Sequence, residues 1–172
     1  MEILCYTRQP KDDMIYGKRM AYSMHLAYRA QDGTFRPFHH NEGLLYAKAV
    51  EDSASGVLDA RSMKNPWIFA LKEGGYGVVS VRTMAEGEED PDSEGCVLCF
   101  TSRDLVHYEE KGLCSLQEKG FIEEIRCAWE EEGQNYRVCW KTAREGWMEG
   151  RLAFGERPEL VPGSLKRTDA PA

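Results

Sequence analysis

No apolar run in this chain of 172 residues approaches the roughly 20 residues that a membrane-spanning helix requires. The opening stretch "MEILCYTRQPKDD" lacks a charged segment followed by an apolar one, so no secretory signal is read there and a cytoplasmic protein is expected. Basic charge is also scarce: Lys+Arg number 22 against 29 Asp+Glu, a net charge of -7. Nucleic-acid binders carry a basic patch, so no nucleic-acid partner and no membrane partner are expected. "KEGGYG" (72–77) lacks the flanking helix of a dinucleotide-binding turn, and no G-x-S-x-G elbow occurs, so neither cofactor nor serine nucleophile is implied. The single C-x-x-C, Cys96 and Cys99, falls in the strand-like "GCVLCFTS", where side chains three apart face opposite ways. With no second C-x-x-C and no matching His pair, no metal site is expected, and the six cysteines read as reduced, buried thiols.

Helical periodicity is equally hard to find. What is present is a series of short strand-like runs bounded by turn residues. "EILCYTR" (2–8) precedes a polar loop with Pro10, Asp12 and Asp13. "MAYSMHLAYRA" (20–30) meets the turn "QDGT", then "FRPF" (35–38). "NPWIFALKE" (65–73) turns at Gly74-Gly75 into "YGVVSVRT" (76–83). Glycine pairs suit hairpin turns that need positive φ. "GCVLCFTS", "HYEEKGLCSL", "FIEEIRCAWEE", "YRVCWKT" and "WMEGRLAF" follow in order. Pro66, which cannot donate to a ladder, is expected at the first residue of its strand.

These runs repeat. "LAYRAQDGTF" (26–35) matches "LCFTSRDLVHY" (98–108) in form, and the hairpins 65–83 and 121–142 match each other, with a period near 55 residues. The expected fold is all-β: antiparallel four-stranded blades, about three, forming an incomplete or open propeller. The middle unit, 65–116, has all four strands. The first lacks its first strand, and the last stops at its third. A propeller-like domain is therefore expected over 1–155, with a Pro-rich linker or tail over 156–172. Unpaired edges beside Ile3, Leu4, Leu152 and Phe154 point to a homodimer or to a C-terminal partner domain.

The segments "MAYSMHLAYRAQDGTFRPFHHNEGLLYAKA", "SMKNPWIFALKEGGYGVVSVRT" and "GCVLCFTSRDLVHYEEKGL" resemble glycoside hydrolase family 43 proteins of bacteria, in particular an N-terminal module of arabinofuranosidase- or xylosidase-like members. The likeness covers about residues 1–142. It implies three carboxylates at the centre of a five-bladed propeller and an inverting mechanism. Mapped onto this chain, the inner strand that carries the base is absent. The orienting Asp of the second blade falls at Asn65, and the acid of the third falls at Glu123 or Glu124. The resemblance implies an accessory or carbohydrate-binding module, with arabinose- or xylose-type glycans as partners. The alternatives are a structural module docking through its blade edges and an active glycosidase completed by partner blades.

Each candidate has a plainer reading. Asn65 also caps a turn before Pro66. Glu123 and Glu124 alternate along a strand, so at most one faces the centre. His39 and His40 suit an ordinary turn as well as sugar binding. Trp67 and Trp147 offer rings for sugar stacking, although strand tryptophans usually belong to a core. His25 reads as a strand histidine with a hydrogen-bond partner.

Overall fold

The computed structural model describes residues 2–9 and 21–170; the loop with Pro10, Asp12 and Asp13 lies outside the described residues. The chain is all-β, an incomplete propeller-like set of antiparallel sheets. It divides into two compact units: Met1–Pro66 with Arg82–Asp90, and Trp67–Val81 with Pro91–Ala172.

In the first unit, β1 (Ile3–Arg8), β2 (Ser23–Arg29) and β3 (Phe35–Pro37) make a three-stranded sheet in that order. This is the incomplete blade that the repeat implies, with three strands rather than four. The Asp32 carboxylate accepts bonds from the Thr34 backbone N–H and hydroxyl, which closes the β2–β3 turn. Met24, Leu26, Leu45 and Met63 are the buried apolar side chains around which this unit closes. A short hairpin, β4 (Val50–Glu51) with β5 (Leu58–Asp59), occupies a stretch with no clear strand pattern. Asp90, almost fully buried, receives the Arg82 guanidinium at 2.7 Å and that of Arg61 at 3.2 Å.

The four-stranded sheet β6 (Arg61–Ala70), β7 (Tyr76–Met84), β8 (Cys96–Ser102) and β9 (Tyr108–Ser115) runs in chain order. Gly74 and Gly75 both take positive φ, 93° and 85°, as the hairpin turn requires. Pro66 is not the strand's first residue: β6 begins five positions earlier, at Arg61. Asn65 adopts φ 47°, a left-handed conformation that asparagine tolerates, and this local break lets the strand pass a residue that cannot donate.

In the second unit, β10 (Ile122–Glu130), β11 (Asn135–Thr142) and β12 (Gly146–Ala153) form a meander. Its alternation is clean. Ile125, Cys127, Val138, Trp140 and Leu152 enter one core together with Phe69, Val79, Val97 and Leu116. Trp140 is wholly buried.

The segment expected as a linker or tail folds back instead. β13 (Glu159–Leu160) and β14 (Lys166–Arg167) both pair antiparallel with β12, making this a five-stranded sheet. The excursion between them holds Pro162 and Gly163, the latter at φ 73°. The expectation of an open edge at Leu152 and Phe154 is thus corrected. Leu152 is fully buried opposite Leu160, and Phe154 meets the rings of Phe69 and Tyr136.

All six cysteines are free thiols, four of them buried. Burial, with Cys139 and Cys114 nearby, pushes the Cys127 thiol well above its ordinary range, so it packs as a small hydrophobe.

Candidate functional site

The polar face of the β10–β12 sheet collects the groups that carry chemistry. Strand alternation puts Glu124 and Arg126 on the face opposite to Ile125 and Cys127. Register then lays one row across three strands: Glu124 opposite Lys141, and Lys141 opposite Trp147. A bulge between Ile122 and Glu124 breaks the simple alternation expected of the two glutamates. As a result both reach one ammonium: Lys141 Nζ is 3.2 Å from Glu123 and 3.9 Å from Glu124. Each carboxylate is about half exposed.

Beside this row the Arg126 guanidinium lies between two indoles, 5.6 Å from the Trp67 ring and 5.7 Å from the Trp147 ring. Trp67 Nε1 donates to the Cys127 carbonyl at 2.8 Å, which holds its plane, and the residue remains 38% exposed. Below the row, Glu149 accepts from Arg137 and Lys166. Burial pulls its carboxyl up, but these two cations outweigh that and hold it below its ordinary value.

The structure therefore brings Trp67 and Trp147 together around Arg126, and Glu123 and Glu124 together around Lys141. Asn65, His39 and His40 belong to the first unit. The two histidines sit exposed in a 3-10 turn, His39–Asn41, whose three residues all take positive φ. His25 has the partner expected of it: its Nε2 lies 3.0 Å from Ser23 Oγ. Burial, then the charge of Arg8, lowers its pKa. Among the described residues no group of three or more His, Cys, Asp or Glu is placed to hold a metal ion, and no helix is long and apolar enough to cross a membrane.

Arg126 and Lys141 did not stand out in the sequence. Their signal was available only through register: Arg126 is two positions from Glu124, and Lys141 is its cross-strand neighbour.

The fold is propeller-like, and a solved structure shares it. The solved structure of a β-fructofuranosidase of glycoside hydrolase family 32 from Bombyx mori, a mutant in complex with sucrose, superposes with a TM-score of 0.57 at 19% identity. The match covers 97% of this chain and 35% of that one, so the chain spans about a third of the protein it resembles. That likeness extends to the fold, and it does not single out family 43. No family model matches the sequence, and no curated protein matches it.

Proposed function

We propose that this chain is a carbohydrate-binding, accessory module of glycoside-hydrolase type rather than a self-sufficient glycosidase. The observation that carries this reading is the Trp67–Arg126–Trp147 arrangement beside Glu124 and Lys141. Indole faces stack on sugar rings, and the charged groups next to them bond hydroxyls. Catalysis by inversion needs two carboxylates flanking one bond, with room for a water. Here the second-blade position is the amide of Asn65, and both third-blade candidates are ion-paired to Lys141. Arabinose- or xylose-type glycans are the ligands to try first.

Calorimetric titration with arabino- and xylo-oligosaccharides tests this reading. Binding should weaken by about tenfold, near 1.4 kcal/mol, in Trp67→Ala and in Trp147→Ala. Unchanged affinity in both variants would overturn it, as would a turnover of aryl arabinofuranosides or xylosides at about 1 per second or faster.

A second reading, docking through a blade edge onto another copy, is favoured by β1. Among the described strand pairings β1 pairs with β2 alone, and Leu4 on it is 44% exposed. Light scattering over a concentration series checks it, since a monomer at every concentration would exclude a homodimer.

A further inference from the structure

At the far ends of β6 and β10 from the Asn65 and Glu123–Glu124 positions, the second unit carries an open groove of about 1430 Å³. The β6–β7 turn, the β8–β9 turn and the start of β11 border it. Its wall is aromatic: Tyr108, Trp129, Tyr136 and Phe154. Trp129 and Tyr136 meet edge to face with centroids 5.0 Å apart. The Trp129 N–H is buried and has no hydrogen-bond partner among the described residues. Packing, not a hydrogen bond of its own, sets that ring's position.

Over the Trp129 ring, 4.6 Å from its centroid, stands the Lys72 ammonium. It is held there by a hydrogen bond to the Gln134 side-chain oxygen. The backbone N–H of Lys72 is fixed as well, donating to the Tyr136 hydroxyl at 3.0 Å. Lys72, Arg103 and Lys111 border the groove together with Glu73, Asp104 and Glu109, so with histidine neutral its formal charges balance, and the pairing among them decides what a ligand meets. Lys111 is taken by Glu109 at 2.8 Å and His107 by Asp104 at 2.7 Å. Lys72, Arg103 and Glu73 form no ion pair among the described residues. The groove thus presents a fixed ammonium over an indole with no carboxylate on it among the described residues.

We propose that this groove is a second saccharide site, distinct from the Trp67–Trp147 face, and that it takes an acidic sugar. A uronic acid ring lies along the aromatic wall and places its carboxylate on Lys72. A charge-assisted bond of this kind is stronger than a neutral one, so the carboxylate supplies the discrimination. A neutral sugar of the same shape offers the ammonium only hydroxyl oxygens, which are weaker acceptors than a carboxylate.

The test uses the full chain labelled with 5-fluorotryptophan. Its four tryptophans give four ¹⁹F resonances, assigned by single Trp→Phe variants. Glucuronosyl-xylotriose and xylotriose serve as probes differing in the acidic sugar. The acidic probe should shift the Trp129 resonance at concentrations about tenfold lower than the neutral one, and Lys72→Gln should abolish that difference. A Trp129 resonance unmoved by either sugar at about 10 mM, equal response to both, or an unchanged preference in Lys72→Gln would each overturn the proposal. Shifts confined to Trp67 and Trp147 would overturn it while supporting the binding face proposed above. A shift confined to Trp129 would support it and count against that face.

Discussion

Gly150 on β12 offers a quantitative test of how the folded-back segment is held. A Cβ built there would sit 2.7 Å from Leu160 Cδ1 and 3.4 Å from the Trp140 ring. The first distance is a clash; the second is tight but near ordinary contact. No positive φ complicates the substitution. Gly150→Ala alone therefore overpacks the site, at about 1–3 kcal/mol. Reduced freedom of the unfolded chain returns about 0.4–1 kcal/mol of that. Leu160→Ala, at a residue 8% exposed, should cost about 2 kcal/mol, the low end for such truncations, because β13 is only two residues long at the edge of the sheet. With both changes the clashing methyl is gone and the added one finds space. Gly150→Ala should then change sign and stabilise the Leu160→Ala background by about 0.4–1 kcal/mol. The coupling across the cycle is thus about 1–3 kcal/mol. Urea unfolding of the four proteins measures it. Hydrogen exchange at the Val161 amide, bonded to the Arg151 carbonyl at 2.8 Å, should speed up in Gly150→Ala. Costs that add to within about 0.5 kcal/mol would refute the reasoning, since residues that share no space are additive.

Other outcomes follow from the same packing and charges. His25 has a folded pKa below its unfolded one, so the folded state binds fewer protons. Its stabilising contribution is complete above the ordinary histidine value of about 6.5 and is lost as pH falls through that value toward the folded one. Thermal midpoints taken between about pH 7.5 and 5 should fall, and less steeply in His25→Asn; parallel slopes would exclude His25 as the cause. Trp140→Ala should lose about 3–5 kcal/mol by urea denaturation, because the ring is wholly buried; a loss under about 1 kcal/mol would mean that the core reforms around it. Asn65→Asp should leave the chain without measurable glycosidase turnover, as the substitution supplies one carboxylate and not the pair; release of nitrophenol from aryl arabinofuranosides is the readout.

The hairpins were legible because their pattern is local. Gly74-Gly75 and the alternation in "FIEEIRCAWEE" and "YRVCWKT" place β6–β7 and β10–β11, and the blade repeat makes β1 and β2 the sequence counterparts of β7 and β8. Three things were not legible. The start of β6, "RSMKN", is polar and sits against Pro66, so propensity argues for a turn; Asn65 at φ 47° resolves the conflict in favour of the strand. The bulge before Glu124 shifts the register by one residue, and no residue there announces it. β13 and β14 are two residues each, too short for any period, and only the apolar Leu160 opposite Leu152 hinted at burial. The Arg126 and Lys72 contacts depend on which strands are neighbours, so neither could be read before the topology was known.

The pairing of β12 with β13 and β14 also bears on the order in which the chain acquires its structure during synthesis. Residues 146–153 emerge from the ribosome before 159–167, so for that interval β12 is an open edge whose buried side chain, Leu152, has no neighbour on that side. Translation adds about 5–20 residues per second, which makes the interval on the order of a second. A chain cut short before residue 159 would stay in that condition permanently, offering the backbone of Gly146–Ala153 to any passing strand. The last few residues of this sheet thus act as a seal, and their loss would show as aggregation before it showed as unfolding.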